Sequence, residues 1–345
     1  MFSETVEQNC EQDSIAPFHR TVIGTHLVTS LQMDDDLIVI GCNNNRIEVY
    51  SAKNGSLIHK LKGHEGGVWS IHFLGGIPSD SGRILVSGGC DRNVLVWDLD
   101  SGVCKHVLRG HTSTVRCVKM HSKLMAASGS RDTTLRVWNI EQGTLTHVLS
   151  GHTASVRCLE IVGDHLISGS YDATCRIWDL QSGTCLRVLE GHSHQIYSLD
   201  CDGQRIFTGS LDTTVRVWSF PTGKLLSILE GHSSLVGHIK VHDKTLVTGG
   251  SDGNICIWDL GTYKYTHRLQ AHDNSVTTLK IDDKYIVSGG SDGKVKLWDL
   301  QKGRLLRNII STANTIWRLS FDKGQIVVLT KRDEDTLLEI FQRGE

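Results

Sequence analysis

Apolar and polar residues alternate along short segments that recur throughout the chain. In residues 135–138 (Leu-Arg-Val-Trp) the apolar side chains are separated by Arg, and residues 295–298 (Val-Lys-Leu-Trp) follow the same order. A period of two is typical of a β-strand, in which successive side chains point to opposite faces. Gly is abundant, with 35 residues, and Pro is rare, with 3, which favours tight turns between short strands. The pattern predicts an all-β protein.

A repeat of about 40 residues organises these strands. Six Gly-His or Ala-His dipeptides have their histidines spaced by 47, 41, 40, 40 and 40 residues, and each is followed by a Trp in register. Every repeat holds four apolar segments of strand length, which is the content of one β-propeller blade. The six Trp are Trp97, Trp138, Trp178, Trp218, Trp258 and Trp298.

Two weaker copies flank the six regular repeats and bring the predicted number of blades to eight. Near the N-terminus, residues 47–50 place Tyr50 in the Trp column. Near the C-terminus, residues 338–341 place Phe341 in the same column. Terminal copies of a repeat array are often atypical, so we count both of them as blades.

The two ends of the array are predicted to complete one blade together. The last copy, residues 316–342, supplies only three strands, whereas residues 19–23 alternate like a strand and have no partner strands before them. Pairing of this N-terminal strand with the last copy would close the ring and remove two exposed sheet edges. Residues 17–345 are thus predicted to form the propeller, and residues 1–16 a disordered polar N-terminus.

Charge and hydropathy argue against nucleic-acid and membrane partners. The 36 Lys and Arg against 38 Asp and Glu give a net charge of −2, whereas a general nucleic-acid binder needs a broad basic surface. No stretch approaches the ~18 consecutive apolar residues that span a bilayer. Residues 1–17 are polar and acidic and lack the pattern of a signal peptide. We therefore expect the protein in the nucleus or cytoplasm.

The ten cysteines predict neither disulfides nor a metal site. Thiols are reduced in those compartments, and the sequence contains no Cys-x-x-Cys pair and no Cys/His spacing of a metal site. We expect no metal and no cofactor.

Each regular repeat carries a His and a later Asp, with Ser or Thr nearby, which are the residue types of a hydrolase triad. Catalysis needs one such set, and this one recurs six times in register. We interpret the pairs as buried structural hydrogen bonds and the protein as a non-enzyme. A hydrolase would lose activity on one His→Ala change but not on its repeat equivalents. The pairs are His64/Asp91, His111/Asp132, His152/Asp172, His192/Asp212, His232/Asp252 and His272/Asp292.

Six copies of Gly/Ala-His, Asp and Trp at fixed spacing resemble the WD-repeat family. The resemblance implies an eight-bladed WD-repeat β-propeller closed by its N-terminal strand. It also implies that each His–Asp hydrogen bond is linked through a hydroxyl group to the Trp indole.

Two columns that differ between repeats are expected to line one face near the central channel. The His loop and the Asp loop can bond only if both emerge on the same face, so residues flanking them must lie there too. The residues five positions after the His are Trp69, Arg116, Arg157, Tyr197, Gly237 and Thr277. The residues before the Asp are Cys90, Arg131, Tyr171, Leu211, Ser251 and Ser291.

Three arginines, Arg116, Arg131 and Arg157, thus cluster on the third and fourth blades, with Arg92 beside them. The eighth blade adds Arg318 next to a Trp in the first column. Guanidinium groups bind phosphate through paired hydrogen bonds, each worth about 1.5–3 kcal/mol when shielded from water. From spacing alone, phosphate binding and pairing with carboxylates on neighbouring loops both remain open.

Residues 110–117 (Gly-His-Thr-Ser-Thr-Val-Arg-Cys) and 128–132 (Ser-Gly-Ser-Arg-Asp) are more specific than a generic repeat. With residues 155–158 and 208–213 they are similar to the F-box/WD-repeat substrate receptors of SCF ubiquitin ligases, of the cell-division-control type. The resemblance implies a substrate-recognition module that binds phosphorylated proteins through phospho-Ser/Thr-Pro degrons. The alternative is a scaffold that binds proteins without phosphate.

The resemblance also assigns roles within this predicted phosphopeptide site. Arg116, Arg131 and Arg157 would hold the phosphate, and Arg92 would support further negative charge. Trp69 would pack on the proline after the phosphoresidue. The pocket for the apolar residues that precede it would be lined by Tyr171 and Tyr197, and Arg318 is assigned to the same site.

The sequence departs from these receptors in two ways. Cys90 stands where they commonly carry a hydroxyl residue, which puts one polar contact in doubt. The 16 polar residues before the predicted propeller show no helical periodicity of an F-box. We therefore expect SCF core subunits as partners only through an F-box that is not present in this chain.

Overall fold

Residues 15–76 and 82–342 are described by the computed structural model. These residues form eight antiparallel sheets of four strands each. Residues 1–14 lie outside the described part, which leaves out most of the N-terminal segment predicted to be disordered. Ile15 is described, and its amide donates a hydrogen bond to the carbonyl of Ile309. No helix in the described part could cross a membrane.

The strands are numbered along the chain, and β1 (His19–Gly24) precedes the first complete blade. Blades one to four are formed by β2–β5 (Val28–Met33, Leu37–Cys42, Arg46–Ser51, Leu57–Lys62), β6–β9 (Val68–Phe73, Ile84–Gly89, Val94–Asp98, Val103–Leu108), β10–β13 (Val115–Met120, Met125–Ser130, Leu135–Asn139, Thr144–Leu149) and β14–β17 (Val156–Val162, His165–Ser170, Cys175–Asp179, Cys185–Leu189). Blades five to eight are formed by β18–β21 (Ile196–Cys201, Arg205–Ser210, Val215–Ser219, Leu225–Leu229), β22–β25 (Val236–His242, Thr245–Gly250, Asn254–Asp259, Lys264–Gln270), β26–β29 (Val276–Ile281, Tyr285–Gly290, Val295–Asp299, Arg304–Ile310) and β30–β32 (Thr315–Asp322, Gln325–Arg332, Asp335–Gln342) with β1.

The first strand of each blade lies at the centre of the molecule. Strands β2, β6, β10, β14, β18, β22, β26 and β30 contact one another in that order, and β30 contacts β2. The ring of blades is therefore closed around a central channel. The predicted all-β fold with eight blades is confirmed.

The N-terminal strand closes the ring. Strand β1 pairs antiparallel with β32, and Arg20 faces Glu339 in the register. The Arg20 guanidinium donates from Nε to the Glu339 carboxylate at 2.8 Å. Glu339 is fully buried and also accepts a hydrogen bond from the Thr330 hydroxyl at 2.9 Å. The predicted closure by the N-terminal strand is thus confirmed.

The hydrophobic core lies between the blades. Within the described residues it forms eight clusters, each shared by two neighbouring blades. One cluster packs Val49 of blade one against Phe73 and Trp97 of blade two. The cluster across the closure joins Ile40 to Leu338. Burying one such aliphatic or Phe side chain contributes about 1.5–3 kcal/mol, so each blade depends on both neighbours for its stability.

Replacing Arg20 with Ala is expected to lower the free energy of unfolding by about 1–2 kcal/mol, because a charge-assisted hydrogen bond to a buried carboxylate is lost. Urea unfolding measures the change. Lys53→Ala is the matched control: it removes an exposed pair with Asp36 and should have little effect on the free energy of unfolding. Equal effects of the two substitutions would contradict a special role of Arg20 in closure.

Candidate functional site

A chain of buried hydrogen bonds connects the His, Asp and Trp of each regular blade. In blade three, His111 Nδ1 lies 2.8 Å from the Asp132 carboxylate, and Nε2 lies 2.8 Å from the Ser128 hydroxyl. Trp138 donates its indole N–H to the same hydroxyl at 2.8 Å. Because a carboxylate only accepts, the proton of a neutral His111 sits on Nδ1, and the hydroxyl donates to Nε2.

The same chain occurs in all six regular blades. The His Nδ1 to Asp distances range from 2.7 to 3.1 Å. The six hydroxyl groups that join His to Trp are fully buried, so a substrate has no access to them. They belong to Ser87, Ser128, Ser168, Thr208, Thr248 and Ser288.

Each Asp also fixes the backbone of two loops. The Asp132 carboxylate accepts the backbone N–H of Thr112 in the His loop at 2.8 Å and that of Thr134 in its own turn at 2.9 Å. Equivalent bonds to the residue after the His occur in the other regular blades. The two loops therefore emerge together on one face, which we call the loop face.

A β-bulge places one extra residue in every inner strand, close to the loop face. In blade three, Val115 pairs with Ser130 and Cys117 with Gly129, so Arg116 is the extra residue. A bulge leaves its extra residue unpaired and bends the strand locally. The bulged residues of the eight blades are Thr29, Trp69, Arg116, Arg157, Tyr197, Gly237, Thr277 and Trp317.

The residue before each Asp lies beside the bulge of its own blade. The backbone N–H of Arg131 donates to the carbonyl of Thr114, two residues before the bulged Arg116, at 2.9 Å. In blade four, Tyr171 donates to Ser155 in the same way at 2.9 Å. The structure therefore brings the two columns together on the loop face.

Trp69 is held on the loop face from two sides. Its indole N–H donates to the Cys90 sulfur at 2.8 Å, and the Arg116 guanidinium stacks over its ring at 4.6 Å from the centroid. A cation above an indole is attracted by the ring quadrupole. Trp69 is still 37% exposed, so part of its ring is available to a ligand.

On blades four and five, an apolar wall lies next to the arginine cluster. The rings of Tyr171 and Tyr197 have centroids 4.9 Å apart, and Leu211 in the same column is 39% exposed. Burial, and then the hydrogen bond with Tyr171, raise the pKa of Tyr197, while the charge of Arg157 acts in the opposite direction. Arg157 is therefore within electrostatic reach of the tyrosine pair.

The arginines of the loop face have no carboxylate to neutralise them among residues 15–76 and 82–342. The ion pairs and side-chain hydrogen bonds of that part include none from the guanidinium groups of Arg92, Arg116, Arg131 or Arg157. Arg92 and Arg131 are exposed, and Arg116 and Arg157 are partly buried. Of the two interpretations left open by spacing, pairing with neighbouring carboxylates has no support in the described residues.

Arg318 lies in a cavity of about 680 Å³ on the inner strands, together with Arg157, Tyr197 and Trp317. Its guanidinium donates to the carbonyls of Thr29 and Trp317, both at 2.8 Å. Burial, and then the charge of Arg157, lower the pKa of Arg318 to about 10. Arg318 is thus a neighbour of Arg157 inside the channel.

Sequence reasoning missed the other basic side chains of this cavity. His238, Lys240 and Lys280 line it as well. The missed signal was a third column, eight residues after each repeat His, which carries His72, Lys119, Glu160, Asp200, Lys240 and Lys280. Within the described part of the chain, no group of three or more His, Cys, Asp or Glu side chains is arranged to hold a metal ion.

The chain belongs to the WD-repeat family, whose propellers typically serve as interaction scaffolds for proteins. The family model "WD domain, G-beta repeat" matches six segments that together span more than half of the chain. These segments are residues 55–98, 102–139, 143–179, 183–219, 223–259 and 263–299.

Three relatives indicate where in the family the similarity lies. The chain is 46% identical over 97 residues to WD repeat-containing protein pop1 of Schizosaccharomyces pombe, covering 28% of this chain and 12% of that protein. It is 39% identical over 113 residues to Cell division control protein 4 of Saccharomyces cerevisiae, covering 32% of this chain and 14% of the relative. It is 39% identical over 95 residues to F-box/WD repeat-containing protein sel-10 of Caenorhabditis elegans, covering 28% and 15%.

The matches therefore span less than a sixth of the length of these relatives. Among solved structures, the computationally designed Ika8 protein superposes with a TM-score of 0.83 at 30% identity, covering 93% of this chain and 98% of that one. The likeness to a designed protein concerns the propeller scaffold.

Acid is expected to destabilise the protein through the repeat aspartates. Burial alone would raise the pKa of Asp212, but hydrogen bonds from Thr214 and His192 outweigh it and hold the pKa at about 2. A carboxylate whose pKa is lower in the folded state stabilises above its unfolded pKa of about 3.9, and this stabilisation is lost as the pH falls towards 2. The free energy of unfolding, measured in urea, should therefore fall between about pH 5 and pH 2.

Asp212→Asn is the matched variant for this measurement. It should be less stable than the wild type at pH 5 and should lose less stability on acidification, because one titrating carboxylate has been removed. An unchanged pH dependence in this variant would contradict the assignment of the effect to the repeat aspartates.

Proposed function

We propose that this propeller is the substrate-recognition module of an SCF-type ubiquitin ligase and binds phospho-Ser/Thr-Pro peptides on its loop face. The observation that carries the proposal is the cluster of Arg116, Arg131 and Arg157, which lacks carboxylate partners in the described residues. Like charges held close together repel one another, and a dianionic phosphate relieves that repulsion.

The phosphate is bound by the guanidinium groups of the cluster. Arg116 and Arg157 occupy bulges on adjacent inner strands, and both are close enough to act on the Cys117 thiol, whose pKa is raised mainly by burial. Arg131 lies beside Arg116 through the hydrogen bond between their loops. Three arginines from two adjacent blades are thus available on the loop face, and guanidinium groups bind phosphate oxygens through paired hydrogen bonds.

The aromatic residues on either side provide the remaining specificity. The exposed part of Trp69 packs on the proline that follows the phosphoresidue, because an indole ring offers a flat apolar surface. Tyr171, Tyr197 and Leu211 accommodate the apolar residues that precede the phosphoresidue. Substrates are captured and positioned here, and ubiquitin transfer takes place elsewhere in the ligase.

The relatives support the ligase setting. The chain is similar to Cell division control protein 4 and to an F-box/WD repeat-containing protein in segments of about 100 residues. The proposal extends this similarity to the activity of a whole ligase receptor, which is larger than the region matched.

Binding is tested with a fluorescent Leu-Leu-pThr-Pro-Pro peptide and its unphosphorylated twin, measured by fluorescence anisotropy. The wild type should bind the phosphopeptide at least about tenfold more tightly, because the charge-assisted hydrogen bonds require the phosphate. Arg131→Ala should abolish this preference, since its side chain is exposed on the loop face. Arg187→Ala, an exposed arginine on the outer strand β17, is the matched control and should bind normally. Equal binding of both peptides would instead favour a phosphate-independent scaffold.

Arg92 gives a second test because its backbone is strained. Its φ of 68° lies in the left-handed region, at a turn position where Gly253 and Gly293 stand in two other blades. Arg92→Gly should relieve ~1 kcal/mol of strain, so the protein should unfold at the same urea concentration or a higher one. The preference for a doubly over a singly phosphorylated peptide should fall.

Thr133→Gly, at the same turn position in blade three, should share the effect on stability and keep the preference for the second phosphate. If Arg92→Gly also keeps that preference, Arg92 does not contact the ligand.

A further inference from the structure

The inner strands carry a belt of charged side chains below the loop face. Lys119 Nζ lies 2.9 Å from the Glu160 carboxylate, and Lys240 Nζ lies 3.2 Å from Asp200. Each carboxylate of the belt is thus paired with one lysine. Lys280, at the equivalent position of blade seven, has no ion pair within the described residues, so its charge is not neutralised by a carboxylate.

A second tier of basic groups lies between this belt and the loop face. His238 precedes Lys240 by two residues on β22, and Arg318 occupies the corresponding position on β30. Residues two apart on a strand share a face and are about 7 Å apart along it. The cavity of about 680 Å³ is therefore bordered by two tiers of basic side chains, with Arg157 at its upper end.

Each tier keeps one positive charge without an ion pair among the described residues, Lys280 in the belt and Arg318 in the second tier. Arg318 donates its resolved hydrogen bonds to backbone carbonyls, which carry no net charge. Burial, and then the charges of Lys240 and Lys119, lower the pKa of Lys280 to about 8, so that it is still largely protonated at neutral pH. Burial, and then Arg318 and Arg157, lower the pKa of His238 to about 3, so its imidazole is neutral and offers one N–H donor.

We propose that this cavity is a binding site for a linear polyphosphate group, which Arg157 and Arg318 hold at one end and Lys280 at the other. A single phosphate reaches one tier, whereas a triphosphate is long enough to reach both. His238 lies between the two ends and donates its N–H to the chain. The polyphosphate can be inorganic or belong to a nucleoside triphosphate, since the basic groups recognise the phosphates alone.

This site is distinct from the proposed peptide site, although the two share Arg157 and Tyr197. Arg131, Trp69 and Tyr171 do not line the cavity, and Lys280 lies on the opposite side of the ring from blades two to four. The two proposals can therefore be separated with one variant each.

The test is isothermal titration calorimetry of the full chain in metal-free buffer with inorganic tripolyphosphate, ATP and orthophosphate. Tripolyphosphate should bind at least about tenfold more tightly than orthophosphate, because it alone reaches both tiers. ATP binding as tightly as tripolyphosphate would show that the cavity also admits the nucleoside, and weaker ATP binding would restrict the ligand to the inorganic chain. Absence of tripolyphosphate binding, or equal affinity for orthophosphate, would overturn the proposal.

Substitutions at Lys280 locate the bound ligand. Lys280→Gln should weaken tripolyphosphate binding at least about tenfold, and Lys280→Arg, which keeps the charge, should restore most of it. Without ligand, Lys280→Gln should melt no lower than the wild type, since it removes a repelled charge. Arg131→Ala should leave tripolyphosphate binding unchanged. Tripolyphosphate binding that is lost in Arg131→Ala and kept in Lys280→Gln would place the anion on the loop face and overturn the cavity site.

Discussion

The hydrogen bond between the repeat His and Asp is the constraint on which the rest of the molecule depends. Each buried Asp holds the repeat His, the backbone of the residue after the His and the backbone of its own turn, so two loops per blade are fixed relative to the sheet. Hydrogen bonds through a buried hydroxyl group link the His to the Trp, and the Trp ring packs in the core that is shared with the neighbouring blade. An unpaired buried carboxylate would be costly, so all parts of this chain have to form together.

The two terminal blades are stabilised by buried hydrogen bonds that involve different residues. Neither has the His–Asp chain; each instead carries a buried glutamate two residues before its aromatic, Glu48 before Tyr50 and Glu339 before Phe341. Tyr50 donates its hydroxyl to Glu48 at 2.5 Å, and Glu339 accepts from Arg20 across the closure. The closure is therefore held by an ion pair between the two ends of the described chain, in addition to the strand pairing.

Because the scaffold residues recur in every regular blade, the candidate ligand-binding residues lie in the columns that vary between blades. The bulge of every inner strand carries one variable residue close to the loop face, and the turn before each Asp carries a second. Arginines occupy these positions on blades three and four, between Trp69 on one side and the tyrosine pair on the other. Deeper in the channel, a third column carries both signs of charge, and its two carboxylates are each paired with a lysine, Glu160 with Lys119 and Asp200 with Lys240.

The repeat spacing alone predicted the blades and their closure. The last copy lacks a fourth strand and the first strand lacks partner strands, and only a closed ring lets the two pair with each other. It also predicted which columns share a face, since His and Asp must meet. It did not predict the bulges at Arg116 and Arg157, because a bulge depends on strand register. It also did not predict the cavity around Lys280, because that cavity combines residues from several blades. At Cys90 the sequence indicated a doubtful polar contact, whereas the structure shows its sulfur accepting the Trp69 indole N–H.

The most direct test of the account is a crystal structure of the protein with a phosphothreonine-proline peptide. The account predicts phosphate oxygens within about 3 Å of guanidinium nitrogens from at least two of Arg116, Arg131 and Arg157, with the following proline on Trp69. The central claim, that the loop face binds the phosphate group of the peptide, would be contradicted by a peptide bound elsewhere. It would also be contradicted by a phosphate that points away from these arginines into solvent.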